Sequence, residues 1–151
     1  MELKPIFEIV RIKQEIKEST EPFARSIIRS PEDAQNLAAS YIADEDREVF
    51  LVIVLSTKNE VIAVHRAHVG SINASIVSPR DVFKSAILNN GKSVIFSHNH
   101  PSGIDSSPSR EDIEVTKRLA EVGRLLDIEV LDHVIVTYNG KHTSLKEKGY
   151  L

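Results

Sequence analysis

The sequence lacks cysteine and tryptophan altogether and contains one methionine among its 151 residues. Without cysteine, the protein can form neither a disulfide bond nor a thiolate bond to a metal ion. Zinc-dependent deaminases are excluded for the same reason, because they bind zinc through a Pro-Cys-Xaa-Xaa-Cys pair. The N-terminus also lacks the apolar run of a signal peptide or a membrane segment. We therefore expect a cytoplasmic protein with no membrane partner.

The sequence has no basic surplus either, since 19 Lys and Arg stand against 22 Asp and Glu, a formal charge of −3. A protein dedicated to nucleic acid usually carries extra basic residues that neutralise phosphates. The balance argues against nucleic acid as a partner, although a local basic patch would be compatible with it. The length and the 41% hydrophobic content are typical of one globular domain with a real core.

The hydrophobic pattern predicts a single-domain α/β fold, in which helices flank a mixed sheet. Ser30-Pro31-Glu32-Asp33 is a strong helix start, with proline at the first position and acids in the first turn, and the helix is predicted to end near Ile42. The other predicted elements are strands at 49–55 and 61–69, a helix from Pro79 to about Asn90, a strand at 92–98, a helix at 110–126, and a strand at 128–137 followed by a hairpin turn.

The first 29 residues do not fit this pattern, so we predict that 1–29 form an N-terminal lead or arm and that 30–151 form the domain. Residues 6–12 are rich in apolar side chains and could form a strand. Residues 4–21 are nevertheless charged enough to form a mobile lead or a partner-binding arm instead. The sequence leaves both alternatives open.

The most informative stretch is Ser97-His98-Asn99-His100-Pro101, followed by Ser109 and Asp112. Side chains alternate along a strand, so His98 and His100 project to the same side if the strand continues through Asn99. Ser109 is a good helix cap, which places Asp112 in the first helical turn. Two imidazoles and one carboxylate, with a fourth position left for water, form the pattern of a catalytic zinc site.

Each part of this motif also has a purely structural explanation. Two histidines at i and i+2 often occur together by chance, and Ser109-Xaa-Xaa-Asp112 is close to a capping box. Capping alone would explain Asp112. It gives no reason, however, for the His-Xaa-His-Pro just upstream, and the combination favours a metal site.

The pattern His98-Xaa-His100-Pro101 with Ser109-Xaa-Xaa-Asp112 resembles the JAMM signature of MPN-domain metalloproteases. The fuller string from His98 to Gly103, together with Leu131-Asp132-His133, resembles the bacterial RadC family within that group, and the resemblance covers about residues 30–151. It implies an MPN/JAB-like fold with the layered architecture of cytidine deaminases.

The same resemblance implies an activity and the residues that carry it. Zinc would be bound by His98, His100 and Asp112, and Ser109 would contact the metal water or the developing oxyanion. The protein would be a zinc-dependent hydrolase that cleaves a peptide, isopeptide or related amide bond in an unknown peptide-like substrate. An upstream glutamate would be the general base.

Glu48, at the entrance to the strand 49–55, occupies the place that matches this glutamate. Glu45 and Asp46 lie close enough to be confused with it, and the residues alone do not choose among the three. Glu60 is a weaker candidate because it adjoins a predicted hairpin turn, where charged residues usually face water.

The remaining histidines are not expected to bind metal. His65 and His68 lie three residues apart in a predicted strand, so alternation places them on opposite faces. His133 follows Asp132 in a strand that reads as buried, and we predict a structural, hydrogen-bonded role for it.

The alternative function is a non-catalytic or DNA-repair-associated accessory module of the RadC family. RadC proteins are historically linked to DNA repair, and members often carry an N-terminal helix-hairpin-helix region. The segment before Ser30 is expected to be too short for that region. The letters His98-Asn99-His100 also suggest an HNH nuclease, but those enzymes take the three residues from separate elements, so we treat the match as accidental.

Overall fold

A computed structural model describes residues 2–21 and 26–151, and its regular elements begin at Pro31. In chain order they are α1 (Pro31–Ile42), β1 (Val49–Leu55), β2 (Val61–Val69), α2 (Pro79–Leu88), β3 (Ser93–Asn99), α3 (Arg110–Leu125), β4 (Glu129–Val136) and β5 (His142–Ser144). None of these helices is both long and apolar enough to cross a membrane.

The five strands form one sheet in the order β2-β1-β3-β4-β5. β1 is antiparallel to both of its neighbours, β3 and β4 are parallel, and β5 is antiparallel to β4. The parallel pair needs a crossover connection, and α3 supplies it. The predicted mixed-sheet α/β fold is confirmed.

Helices cover both faces of this sheet, which explains why β1 is an unbroken apolar run. Leu51, Ile53 and Leu55 belong to one core cluster with α1, whereas Phe50, Val52 and Val54 belong to a second cluster with α2 and α3. Every residue of β1 is buried. The face that carries α2 and α3 is also the face that carries the candidate site.

The N-terminal segment 2–21 contains neither a helix nor a strand, so the strand considered for residues 6–12 is wrong. Ile6, Phe7 and Val10 are more than 80% exposed, because the segment packs no apolar face against the sheet. Residues 13–21 run beside β2 and α2, where a cleft of about 950 Å³ separates them. Met1 and residues 22–25 of the predicted arm lie outside the described residues, and the boundary at residue 30 stays a prediction.

A β-bulge corrects the prediction for His65 and His68. His68 pairs with Phe50 and His65 pairs with Val52, two residues that share one face of β1, and Ala67 is the extra residue between them. The two histidines therefore lie on the same face, because the bulge breaks the simple alternation.

Candidate metal centre

The candidate centre lies where the end of β3 meets the start of α3. His98 is the penultimate residue of β3 and pairs with Phe50, so its side chain is on the face covered by α3. His100 follows the strand, and its backbone N–H donates to Val136 O at 3.0 Å, which extends the pairing with β4 by one step. Asp112 lies in the first turn of α3. The predicted geometry of the motif is confirmed in these respects.

The three side chains converge on one point. His98 Nε2 lies 3.2 Å from His100 Nε2 and 3.2 Å from Asp112 Oδ1, and His100 Nε2 lies 3.3 Å from Asp112 Oδ2. Tetrahedral zinc with bonds of 2.0–2.1 Å would separate its ligand atoms by about 3.3 Å. Among residues 2–21 and 26–151, these three form the one group of three or more histidine, aspartate or glutamate side chains that could hold a metal ion.

Burial and charge make this group attractive to a cation. His98 is fully buried and Asp112 almost so. Burial tends to raise the pKa of the Asp112 carboxyl, but hydrogen bonds with His100 and His98, the charge of His98 and the N–H of Ser109 together hold that pKa well below its usual range. The Asp112 hydrogen bond, acting against burial, raises the pKa of His100. An ionised carboxylate therefore faces two imidazole nitrogens in a largely buried site.

Asp112 also forms the capping box, so its roles as a helix cap and as a member of the metal cluster are compatible. Its Oδ2 accepts from the backbone N–H of Ser109 at 2.8 Å, and Ser109 Oγ accepts from the backbone N–H of Asp112 at 3.0 Å. The cap fixes the carboxylate at the start of α3, with both oxygens still within reach of the histidines. One side chain thus begins the helix and completes the cluster.

These two roles predict a separable outcome for Asp112→Asn. The amide oxygen can still accept from Ser109, so the free energy of unfolding should fall by only about 1 kcal/mol, the usual range for a cap. Removing a residue that only hydrogen-bonds to a metal ligand lowers metal affinity by up to roughly 100-fold. Asp112→Asn removes a ligand itself, so its zinc affinity should fall by more than that. Urea unfolding and chelator competition measure the two effects.

Glu111→Gln is the matched control for this experiment, because Glu111 is an exposed acid in the same helical turn. It removes the same negative charge near the helix N-terminus and should leave zinc affinity unchanged. Equal zinc affinity in Asp112→Asn and Glu111→Gln would show that Asp112 only caps the helix.

Glu48 lies beside the cluster, on the same side of the sheet. It precedes β1 by one residue, and continuing the antiparallel register of Phe50 with His98 places Glu48 opposite His100. Its Oε2 accepts from the backbone N–H of Ile72 at 3.2 Å, and its charge contributes to the raised pKa of His100, after the larger effect of Asp112. The alternatives Glu45 and Asp46 are both exposed.

Asn99 anchors the segment that carries Glu48. Asn99 stands between the two histidines in the sequence, but its side chain is on the opposite face of the sheet, where it is fully buried. Asn99 Oδ1 accepts from the backbone N–H of Val49 at 2.7 Å, and Nδ2 donates to Arg47 O at 2.9 Å and Glu45 O at 3.3 Å. The His-Asn-His motif therefore supplies the two metal-facing histidines and also, through Asn99, holds the backbone on either side of Glu48.

The sequence did not reveal the contacts of Asn99 or Thr116. Asn99 could have been noticed as a polar residue at an inward position between two strand histidines, where burial demands hydrogen-bond partners. Thr116 follows Asp112 by four residues, the spacing that places two side chains on one face of a helix. Its Oγ1 donates to Asp112 O at 2.7 Å and lies 2.5 Å from His133 Nδ1.

Ser109 is exposed at the mouth of the cluster. Its oxygen is already an acceptor in the cap, which leaves its hydroxyl hydrogen to donate elsewhere. The structure thus brings His98, His100 and Asp112 together and places Glu48 and Ser109 at their border.

Comparison with known proteins agrees with this geometry. The family model of the RadC-like JAB domain matches residues 28–150. A UPF0758 protein of Desulfitobacterium hafniense is 50% identical over 133 residues, which cover 88% of this chain and 58% of that protein. A UPF0758 protein of Caldanaerobacter subterraneus is 53% identical over 123 residues, or 82% of this chain and 52% of the relative.

A third relative, a UPF0758 protein of Geobacillus sp., is 54% identical over 131 residues and has 55% of its length covered. The chain therefore spans just over half the length of these curated relatives. The match takes in both histidines, the helix with Asp112, and Glu48 with the strand that follows it. This chain belongs to the RadC-like JAB domain family.

Proposed function

We propose that the protein is a cytoplasmic zinc-dependent hydrolase of the JAMM type, which cleaves a peptide, isopeptide or related amide bond. The observation that carries this proposal is the convergence of His98, His100 and Asp112, which can each offer one ligand atom within 4.8 Å of the other two in a largely buried site. The JAB-domain family includes metalloproteases, and the acid beside this group gives the site a candidate base.

The donor set fits zinc. Two neutral imidazoles and one carboxylate are ligands that zinc prefers, and three protein ligands leave a position open, as in catalytic sites. A zinc ion bound here would lower the pKa of its water to about 7 and so supply hydroxide at neutral pH. The same donor set also suits ferrous iron, so metal analysis should measure both metals.

Glu48 is the proposed general base. A base must lie within hydrogen-bond reach of the proton that it removes, and Glu48 is on the same side of the sheet as the two histidines. Its carboxylate would take a proton from the attacking water and then deliver it to the leaving amine. The backbone N–H of Ile72, in the loop that follows β2, donates to this carboxylate and keeps it oriented.

Ser109 and the neighbouring loops would meet the substrate. The free hydroxyl hydrogen of Ser109 can donate to the carbonyl oxygen as negative charge develops on it, which is how an oxyanion is stabilised. The loops 70–77 and 103–108 flank the cluster and would bind the peptide on either side of the scissile bond.

A metal assay combined with a peptide-library cleavage screen tests the proposal. We expect about one zinc ion per chain, cleavage that stops with chelator, and cleavage that zinc restores. Bound zinc with no cleavage of peptides or isopeptide-linked substrates would favour the accessory-module alternative. Absence of metal from protein purified in zinc-supplemented buffer would contradict both the zinc site and the hydrolase.

A further inference from the structure

His133 lies behind the metal-facing histidines and is not one of the three residues in the cluster. It is fully buried on β4, where it pairs with Phe96. Its ring packs edge-on against Phe50, Phe96 and His98, with centroid distances of 5.5, 6.2 and 4.8 Å. A polar ring in such apolar surroundings must have its nitrogens satisfied by hydrogen bonds.

Both ring nitrogens of His133 have partners, and these form a chain that ends at the cluster. Nδ1 lies 2.5 Å from Thr116 Oγ1, and Nε2 lies 2.7 Å from His98 Nδ1. The opposite nitrogen of His98, Nε2, faces His100 and Asp112. The chain thus runs from α3 through β4 to the metal-facing edge of His98.

The positions of the hydrogens along this chain follow from the donor at its end. Thr116 has one hydroxyl hydrogen, which it donates to Asp112 O at 2.7 Å. Thr116 Oγ1 can therefore only accept from His133, which requires a hydrogen on His133 Nδ1. His133 is fully buried against the rings of Phe50 and Phe96, where a charged imidazole would be costly, so this ring is neutral and its Nε2 is bare. A bare Nε2 accepts, so His98 must donate from Nδ1.

We propose that His133 is a positioning residue that, held by Thr116, fixes the hydrogen of His98 on Nδ1 and so presents the lone pair of His98 Nε2 to the metal. This inference rests on the proposed zinc site. Metal-binding histidines usually donate their second N–H to a carboxylate, a carbonyl or water. A neutral imidazole performs that task here, and it suits a pocket walled by Phe50 and Phe96, where a buried carboxylate would be costly.

Nitrogen-15 NMR of the histidine rings tests the relay without any enzyme activity. In wild-type protein, both metal-free and zinc-loaded, His133 should carry its hydrogen on Nδ1 and none on Nε2. A hydrogen on His133 Nε2 would overturn the inference, because His133 would then donate to His98 and leave the wrong tautomer facing the metal. This reading holds even if the protein binds no zinc, so failure of the zinc site and failure of the relay are distinguishable.

Zinc affinity of variants provides the second test. His133→Leu fills the space but removes the acceptor, and its affinity for zinc should fall about 10–100-fold, as it does when such partners are lost at other metal sites. His133→Gln keeps an acceptor oxygen and a donor nitrogen, and its affinity should recover towards that of the wild type. Thr116→Val removes the group that orients His133, and its affinity should lie between those of wild type and His133→Leu.

His65→Leu is the matched control, because it changes a part-buried histidine on the same sheet face, outside the cluster. Its zinc affinity should equal that of the wild type. Circular dichroism identifies variants that fail to fold. If His133→Leu does not fold, the zinc affinity of Thr116→Val and the NMR of the wild type still test whether His133 positions His98. Wild-type zinc affinity in folded His133→Leu, or a loss in His133→Gln as large as in His133→Leu, would show that His133 only packs.

Discussion

His98→Ala and His100→Ala proteins are expected to lose nearly all of the zinc that the wild type holds. Each variant leaves two protein ligands, which is fewer than the three found in catalytic zinc sites. One ligand atom from each of the three residues lies within 4.8 Å of the others in the wild type, and no other described histidine, aspartate or glutamate belongs to the cluster to replace the missing one. Metal analysis after dialysis, together with chelator competition, measures the loss.

The two variants should differ in stability even though both lose zinc. The side chain of His98 is 0% exposed and bonded to His133, whereas that of His100 is 16% exposed. His98→Ala therefore leaves a cavity and an unpaired His133 nitrogen, and its metal-free form should unfold at lower urea concentration than that of His100→Ala. His65→Ala serves as the control for zinc content. Unchanged zinc in both cluster variants would rule out the site.

The sequence predicted the elements well because their signals are local. Ser30-Pro31 and Ser109 begin helices by capping, a contact made within four residues, and α1 and α3 begin where these signals place them. β1 is buried on both faces, and its continuous apolar run predicts a strand of the same bounds. The ligand pattern is likewise compact, since one strand end and one helix turn supply it.

Features that depend on tertiary structure could not be predicted from these signals. Residues 6–12 have the composition of a strand, yet a strand forms only when it pairs with a neighbouring strand. Residues 6–12 pair with none in the described part of the chain. The bulge at Ala67 places His65 and His68 on one face, and nothing in the spacing of β2 reveals it. The link between His133 and Thr116 joins β4 to α3, which only the folded chain brings together.

The choice among Glu48, Glu45 and Asp46 as the general base needs the structure as well as the sequence. Sequence leaves all three open, because each is an acid just before β1. The antiparallel register with β3 distinguishes them, since it places Glu48 opposite His100 while Glu45 and Asp46 stay exposed. This placement favours Glu48 on physical grounds, and its role as a base is a prediction that kinetics must test.

Glu48→Gln is expected to keep zinc and lose the reaction. Glutamine has nearly the shape of glutamate, and its amide oxygen can still accept from Ile72 N–H, so the loop after β2 stays in place. It cannot take a proton, so the hydrolytic rate should fall about 10²–10⁴-fold, the range for loss of general acid–base catalysis. The rate on a peptide found in the library screen, with zinc content measured on the same sample, tests both halves.

Glu45→Gln is the matched control, because it makes the same chemical change at an exposed position in the same segment. Its rate and zinc content should equal those of the wild type, because its side chain is directed to solvent and only its backbone carbonyl bonds to Asn99. A fall in rate with Glu45→Gln but not with Glu48→Gln would reassign the base. Equal rates in both variants and the wild type would mean that neither acid moves the proton, and loss of zinc in Glu48→Gln would make Glu48 a ligand instead.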